Sequence, residues 1–175
     1  ICSVNANGQI DIAGFNGGAA NASRITSYAS LPLNKWVHVS AQLDMSAFTN
    51  TSTTSYVMFD GVDVAGLVSR SGTNPTALVQ AGNLEIGSYN AGFFHDGKIA
   101  QVAIFNAKVT QATMRTYMSQ GLSGSETSLI SAYSFDNAIT DLNTTNANNL
   151  TANVGAAATA TDSPFANAVA AGLLE

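Results

Sequence analysis

Charge is the scarcest ingredient of this sequence. Only 10% of its 175 residues are Asp, Glu, Lys or Arg, against roughly a quarter in an average soluble domain, so the surface is built mainly from the hydroxyls and amides of Ser, Thr and Asn. Six Lys and Arg are outnumbered by eleven carboxylates, for a net charge of −5. Binding driven by counterion release from phosphates is thereby disfavoured, and no nucleic-acid partner is expected. Cysteine is reduced to Cys2, which rules out an internal disulfide, a cysteine-rich zinc cluster and a CxxC redox pair. No apolar run approaches the roughly 20 residues that span a bilayer, so no membrane span is expected. An initiator Met is missing too. The chain opens on "ICSVNANGQIDIAGF", inside a strand pattern, and reads as a piece of a longer polypeptide.

What is present is apolar and mostly of period two. Hydrophobic residues make up 46% of the chain, enough for the core of one domain. In "LPLNKWVHVSAQLD" Val37, Val39, Ala41 and Leu43 fall on one face and Trp36, His38, Ser40 and Gln42 on the other, the pattern of a half-buried strand. Upstream, Ile10, Ile12 and Phe15 approach a Gly-rich turn at Asn16 to Gly18, and "SRITSYASL" continues the series of short strands. "SYVMFDGVDVAG" predicts a hairpin, because Asp60-Gly61 supplies the two positive φ angles of a type I′ turn. "NLEIGSYN" and "GKIAQVAIFN" add two strands. The second, from Lys98 to Phe105, is apolar on both faces and fits a central position. One segment changes period: "TQATMRTYMSQG" has Thr110 as N-cap, Met114, Tyr117 and Met118 as its apolar residues, and Gly121 as terminator, and predicts a short helix. "SLISAYSFDN" returns to period two. The stretch after it is so rich in Asn, Thr and Ala that only Leu150 to Val154 reads as a strand.

Many short strands with one late helix indicate a β-sandwich. In their order, "LPLNKWVHVSAQLD", "YVMFDGVDVAG" and "LEIGSYNAGFFHDGKIAQVAIFNAKVTQATMRTYMSQG" resemble the laminin G-like, concanavalin A-like jelly-roll family, over roughly Leu31 to Tyr133. That family follows a Trp-x-His-Val strand with a Tyr-x-Asp-Gly hairpin, an apolar-x-Ile-Gly strand, a Phe-x-Gly-x-Ile strand and a short helix. The resemblance implies an all-β fold, an antiparallel two-sheet jelly-roll sandwich over residues 1–155, with 156–175 as a C-terminal tail or linker. Such domains usually carry more strands ahead of the Trp than thirty residues provide. The sandwich is therefore expected to lack its N-terminal strands, and its first strand, around Gly8 to Phe15, to lie near other polypeptide of the same assembly. The tail from Leu129 to Phe165 resembles segments of bacteriophage virion proteins that bear such jelly rolls.

In similar domains the Trp is a packing residue, and Trp36 is expected to be a peg in the core. His38 reads as structural or solvated, with His95 far away in another loop. Glycosidases similar to this family set two carboxylates across the scissile bond in a Glu-x-Asp-x-x-Glu run. Here Glu85, Glu126 and Glu175 are the only glutamates, and Glu85 has no acidic residue two or four positions away. "GLSGSE" does not have the spacing of a Gly-x-Ser-x-Gly elbow. The chain is not expected to be an enzyme. No cofactor is expected either. Calcium is the one candidate, because some laminin G-like domains bind it at the rim; Asp96, Asp136, Asp141 and Asp162 are the loop carboxylates, but no dense oxygen cluster forms around them. Asp60 and Asp96 precede glycines and read as turn residues, and Asp141 as a loop cap.

Two functions remain. One is recognition of a glycan or protein on a cell surface through the loop "GSYNAGFFHDG", where Tyr89, Asn90, Phe93 and His95 offer aromatic and amide groups while Phe94 turns to the core. The other is a structural role, as a phage fibre or capsid decoration packing in an assembly. Either places the chain outside the cell or in a virion.

Overall fold

The structure is a computed structural model that describes residues 2–15, 22–44, 55–71, 84–89, 93–135 and 138–151. It divides into two compact units, one made of Ile1–Gly82 with Lys108–Met118, the other of Asn83–Ala107 with Ser119–Glu175.

The first unit is built from two antiparallel sheets. Strands β1 (Cys2–Val4), β2 (Gln9–Phe15) and β3 (Ala22–Ser30) lie side by side in chain order, and β7 (Ala65–Ser71) completes the sheet beside β3. The β1–β2 turn is held by Asn5, whose Oδ1 accepts the backbone N–H of Asn7 at 2.9 Å and of Gln9 at 3.1 Å. Such local side-chain-to-backbone bonds are why Asn favours turns. The second sheet has the order β4 (Val39–Gln42), β5 (Tyr56–Phe59), β6 (Val62–Asp63). Ile10 and Ile25 from the first sheet meet Val57, Phe59 and Val64, and Val37, Val39, Ala41 and Leu43 pack against that cluster. The alternation of the Trp36 to Leu43 stretch thus turns the expected face inward. Ile25 and Val57 are fully buried, each contributing about 1.5–3 kcal/mol.

Strand β5 is buried on both faces. Val57 and Phe59 enter the core, while Tyr56 and Met58, by alternation, take the other face. There the Tyr56 hydroxyl donates to Val109 O at 3.0 Å, and Val109 N donates to Gln42 Oε1 at 2.9 Å. Burial, with a smaller push from Asp63, raises the Tyr56 pKa to about 12. Val109 leads into helix α1 (Gln111–Gln120). Thr110 caps it as expected, its Oγ1 accepting Thr113 N at 3.1 Å, and Gly121 follows at φ +78°. The helix buries none of its residues; it is tied down by Gln111 Nε2 to Asp63 Oδ2 at 2.7 Å and Arg115 Nε to Gly61 O at 2.7 Å.

The second unit contains β8 (Ser88–Tyr89) paired with β9 (Phe93–Phe94), and β10 (Val102–Phe105) paired with β11 (Leu129–Tyr133), both antiparallel. A buried carboxylate, Asp141, organises the chain that follows β11 (see below).

Several expectations need correction. Trp36 is not a core peg: it is 39% exposed. The chain from Leu31 to His38 is outside any strand, and the residue beside Trp36 that packs on the core is Val37. The first strand of the described sheet is β1, which pairs with β2 through Cys2 with Ile12, Ser3 with Asp11 and Val4 with Ile10. The strand expected from Lys98 to Phe105 keeps only its second half, and each residue of that half is only partly buried. The reason lies in its partner: after Tyr133 the chain turns away, with Phe135 at φ +58°, and Lys98 to Gln101 lie outside any strand. "NLEIGSYN" likewise shrinks to the two residues of β8. Leu150 and Thr151 are outside any strand, and Ala152 to Val154, like the turn at Asn16 to Gly18, lie outside the described residues.

Candidate functional site

The hairpin of β8 and β9 carries the residues singled out by sequence. Its register sets Tyr89 directly opposite Phe93, and Ser88 opposite Phe94. Beyond β9, His95 donates its backbone N–H to Gly87 O at 2.8 Å and is exposed. Before β8, Glu85 accepts a bond from the Ser88 hydroxyl at 3.2 Å. The structure therefore brings Tyr89, Phe93 and His95 onto one hairpin. Asn90 and the side chains of Tyr89, Phe93 and Phe94 lie outside the described residues.

A second cluster surrounds the Asp60-Gly61 turn. Asp60 at φ +49° and Gly61 at φ +78° are the positive angles a type I′ turn requires. The turn is stitched to the segment ahead of β4: Asp60 N donates to His38 O at 2.9 Å, and Asp60 Oδ1 accepts His38 N at 2.8 Å. Lys35 Nζ lies 3.4 Å from Asp60 Oδ2. Between Lys35 and His38 sits the exposed Trp36. Leu33 on the same loop is 85% exposed. His38 Nδ1 and Ser40 Oγ are buried with no hydrogen-bond partner among the described residues. Burial lowers the His38 pKa from its ordinary 6.5, against the opposing pull of Asp60, so the imidazole is neutral at physiological pH. Sequence reasoning placed Trp36 in the core and Asp60 only in a turn. The signals for an exposed site were Pro32 and Asn34 just ahead, marks of a loop rather than a strand.

In the second unit a shallow polar cleft of about 380 Å³ is lined by Ser125, Glu126, Asn143, Thr144, Thr145 and Asn146, among others. One lining residue, Asn143, is anchored by Asp141, whose Oδ1 accepts Ala132 N and Asn143 N, each at 2.9 Å, and whose Oδ2 accepts Asn148 N at 3.1 Å. Burial pushes the Asp141 pKa up, but the bonds from Ala132, Asn143, Ser131 and Asn148 together outweigh it and hold the carboxyl below its ordinary 3.8. Glu126 is held low in the same way: burial raises it, and Ser123 and Gly124 donate to it.

These carboxylates are occupied by structure. Asp11 accepts Thr26 Oγ1 at 2.6 Å, and Asp44 pairs with Lys108. Among the described residues no three His, Cys, Asp or Glu side chains converge as a metal group would. Of the calcium candidates, Asp141 serves as the loop cap its sequence context suggested, its oxygens filled by backbone donors; Asp96 is exposed, and Asp136 and Asp162 lie outside the described residues. No described helix is long and apolar enough to cross a membrane.

A family model, Laminin_G_3, described as the Concanavalin A-like lectin/glucanases superfamily, matches residues 1–115. Neither the curated proteins nor the solved structures searched contain a match. The matched stretch covers both sheets of the first unit, the β8–β9 hairpin and the first turn of α1.

Proposed function

Since the chain belongs to the Laminin_G_3 family of the concanavalin A-like lectin/glucanase superfamily, we propose that it is a non-catalytic recognition module, working outside the cell or on a virion, that binds a glycan or protein displayed on a cell surface. The observation that carries this reading is the β8–β9 hairpin, whose register places Tyr89 against Phe93 with His95 exposed just beyond. Tyr and Phe are residue types that supply contact area at recognition sites, and His adds hydrogen bonding. The carboxylates support a non-catalytic role. Asp11, Asp44, Glu85, Glu126 and Asp141 each hold a structural partner, whereas glycoside hydrolysis needs two facing across a substrate. The test is a glycan panel probed with the parent chain, Tyr89→Ala and Phe93→Ala. Reproducible binding weakened by either substitution supports glycan recognition through this hairpin, and no binding, or binding indifferent to both, refutes the glycan half of the reading.

The structural alternative has one observation of its own. Val4 lies opposite Ile10 in the β1–β2 ladder, so both share the face that Ile10 turns to the core, yet Ile10 is 5% exposed and Val4 48%. The core of the first unit ends before β1, leaving an apolar edge of the kind that packs in an assembly. A discrete oligomer in solution, lost on Val4→Ser, would favour that reading.

A further inference from the structure

We propose that Trp36 is a stacking platform for a neutral pyranoside, with Asp60, Lys35 and the indole N–H as the groups that hold its hydroxyls. The inference rests on the reading of the chain as a glycan-recognising module, but on none of the hairpin residues that carry that reading.

The first observation is the platform. Trp36 is the only Trp of the chain and is 39% exposed, although its neighbour Val37 packs on the core. Its indole Nε1–H is a hydrogen-bond donor. The second is rigidity. The loop that carries Trp36 is pinned at both ends, by Leu31 and Val37 on the core cluster, by Leu31 N to Gly8 O at 2.8 Å, and by the reciprocal pair of His38 and Asp60. A surface ordered in advance loses little freedom on binding.

The third observation is the polar rim. Asp60 and Lys35 form an ion pair with side chains 49% and 53% exposed. A carboxylate has about four acceptor positions and an ammonium three donors. Asp60 uses one for His38 N and one for Lys35, so both groups retain capacity toward a ligand. The pair is neutral as a unit, which selects an uncharged ligand. Carboxylate, ammonium and indole N–H together accept from and donate to hydroxyls, and a pyranoside combines a face of C–H groups with a ring of hydroxyls in its own plane.

The single Trp makes the test site-specific, because all indole emission comes from Trp36. The purified chain is titrated with lactose and with cellobiose, and with glycerol, which has hydroxyls but no ring face. A saturable blue shift or quench with either sugar and none with glycerol is expected. Binding followed by calorimetry should weaken about tenfold or more in Trp36→Ala, and less in Trp36→Phe, which keeps a ring. Asp60→Asn, which tolerates the positive φ of the turn, should weaken it with melting unchanged. Flat emission up to about 100 mM of both sugars, an equal response to glycerol, or unaltered affinity in Trp36→Ala overturns the proposal. Glycan-panel binding that needs Tyr89 or Phe93 while Trp36 emission stays flat would keep the recognition reading and remove this site. A Trp36 response together with panel binding indifferent to Tyr89→Ala and Phe93→Ala would keep this site and remove the hairpin.

Discussion

Replacing Asp141 with alanine removes a buried carboxylate that receives the backbone N–H groups of Ala132, Asn143 and Asn148. Each orphaned buried donor costs about 1–3 kcal/mol. Ala132 is fully buried and Asn143 nearly so, whereas Asn148 is exposed; water therefore satisfies the third donor but not the first two. The net loss works out at about 2–5 kcal/mol of local stability, reduced by the relief of no longer burying a charge. Asp141→Asn keeps the shape but turns an NH2 group toward at least one backbone donor, for an intermediate loss of about 1–3 kcal/mol. Urea unfolding followed by circular dichroism reads the total, and hydrogen exchange at the amides of Ala132 and Asn143 reads the site. The pH dependence supplies an independent check. Because the folded pKa of Asp141 lies below its ordinary 3.8, its charge stabilises the fold fully above that value, and the contribution fades as the pH falls through the folded pKa. The alanine variant should show a shallower acid limb, with Glu126, also held low, leaving a residual slope. A melting temperature within about 2 °C of the parent, with unchanged exchange at Ala132 and Asn143, would refute the assignment of Asp141 as the organising group.

Two glycine substitutions test the packing from opposite directions. Gly124→Ala places a Cβ 2.2 Å from the Leu142 carbonyl oxygen at a residue with φ +90°, and should destabilise by about 2 kcal/mol or more, since backbone on both sides must shift; unchanged chemical denaturation would contradict the close approach of the two loops. Gly61→Val forces a β-branched side chain to φ +78° with Arg115 Cγ 3.2 Å from the new Cβ, and should cost about 1–2 kcal/mol or more; an unaltered melting temperature would count against the turn.

The local features of this chain were legible in its sequence because their causes are local. Asp60-Gly61 adopts positive φ because Asp and Gly tolerate the left-handed region that most residues avoid, Thr110 caps α1 because its hydroxyl reaches the Thr113 N–H from one turn away, and Val37, Val39, Ala41 and Leu43 face the core because alternation is a property of the extended backbone. The candidate loop "GSYNAGFFHDG" was legible only as a connection; that its backbone pairs Tyr89 with Phe93 is a product of the fold. Strand lengths were not legible, since a strand persists only where a partner runs beside it, and β10 begins at Val102 because the chain leaves β11 after Tyr133. Nothing in "AITDLNTTNANN" marks Asp141 as a hub either: its donors come from three places up to nine residues away in sequence, and only folding gathers them. Trp36 is the sharpest case. The sequence placed it next to a core-facing Val37, but whether its own face is covered depends on which segments fold over it, and those leave it 39% exposed. Exposure is a property of neighbours brought from elsewhere in the chain, so it was decided by the tertiary structure alone.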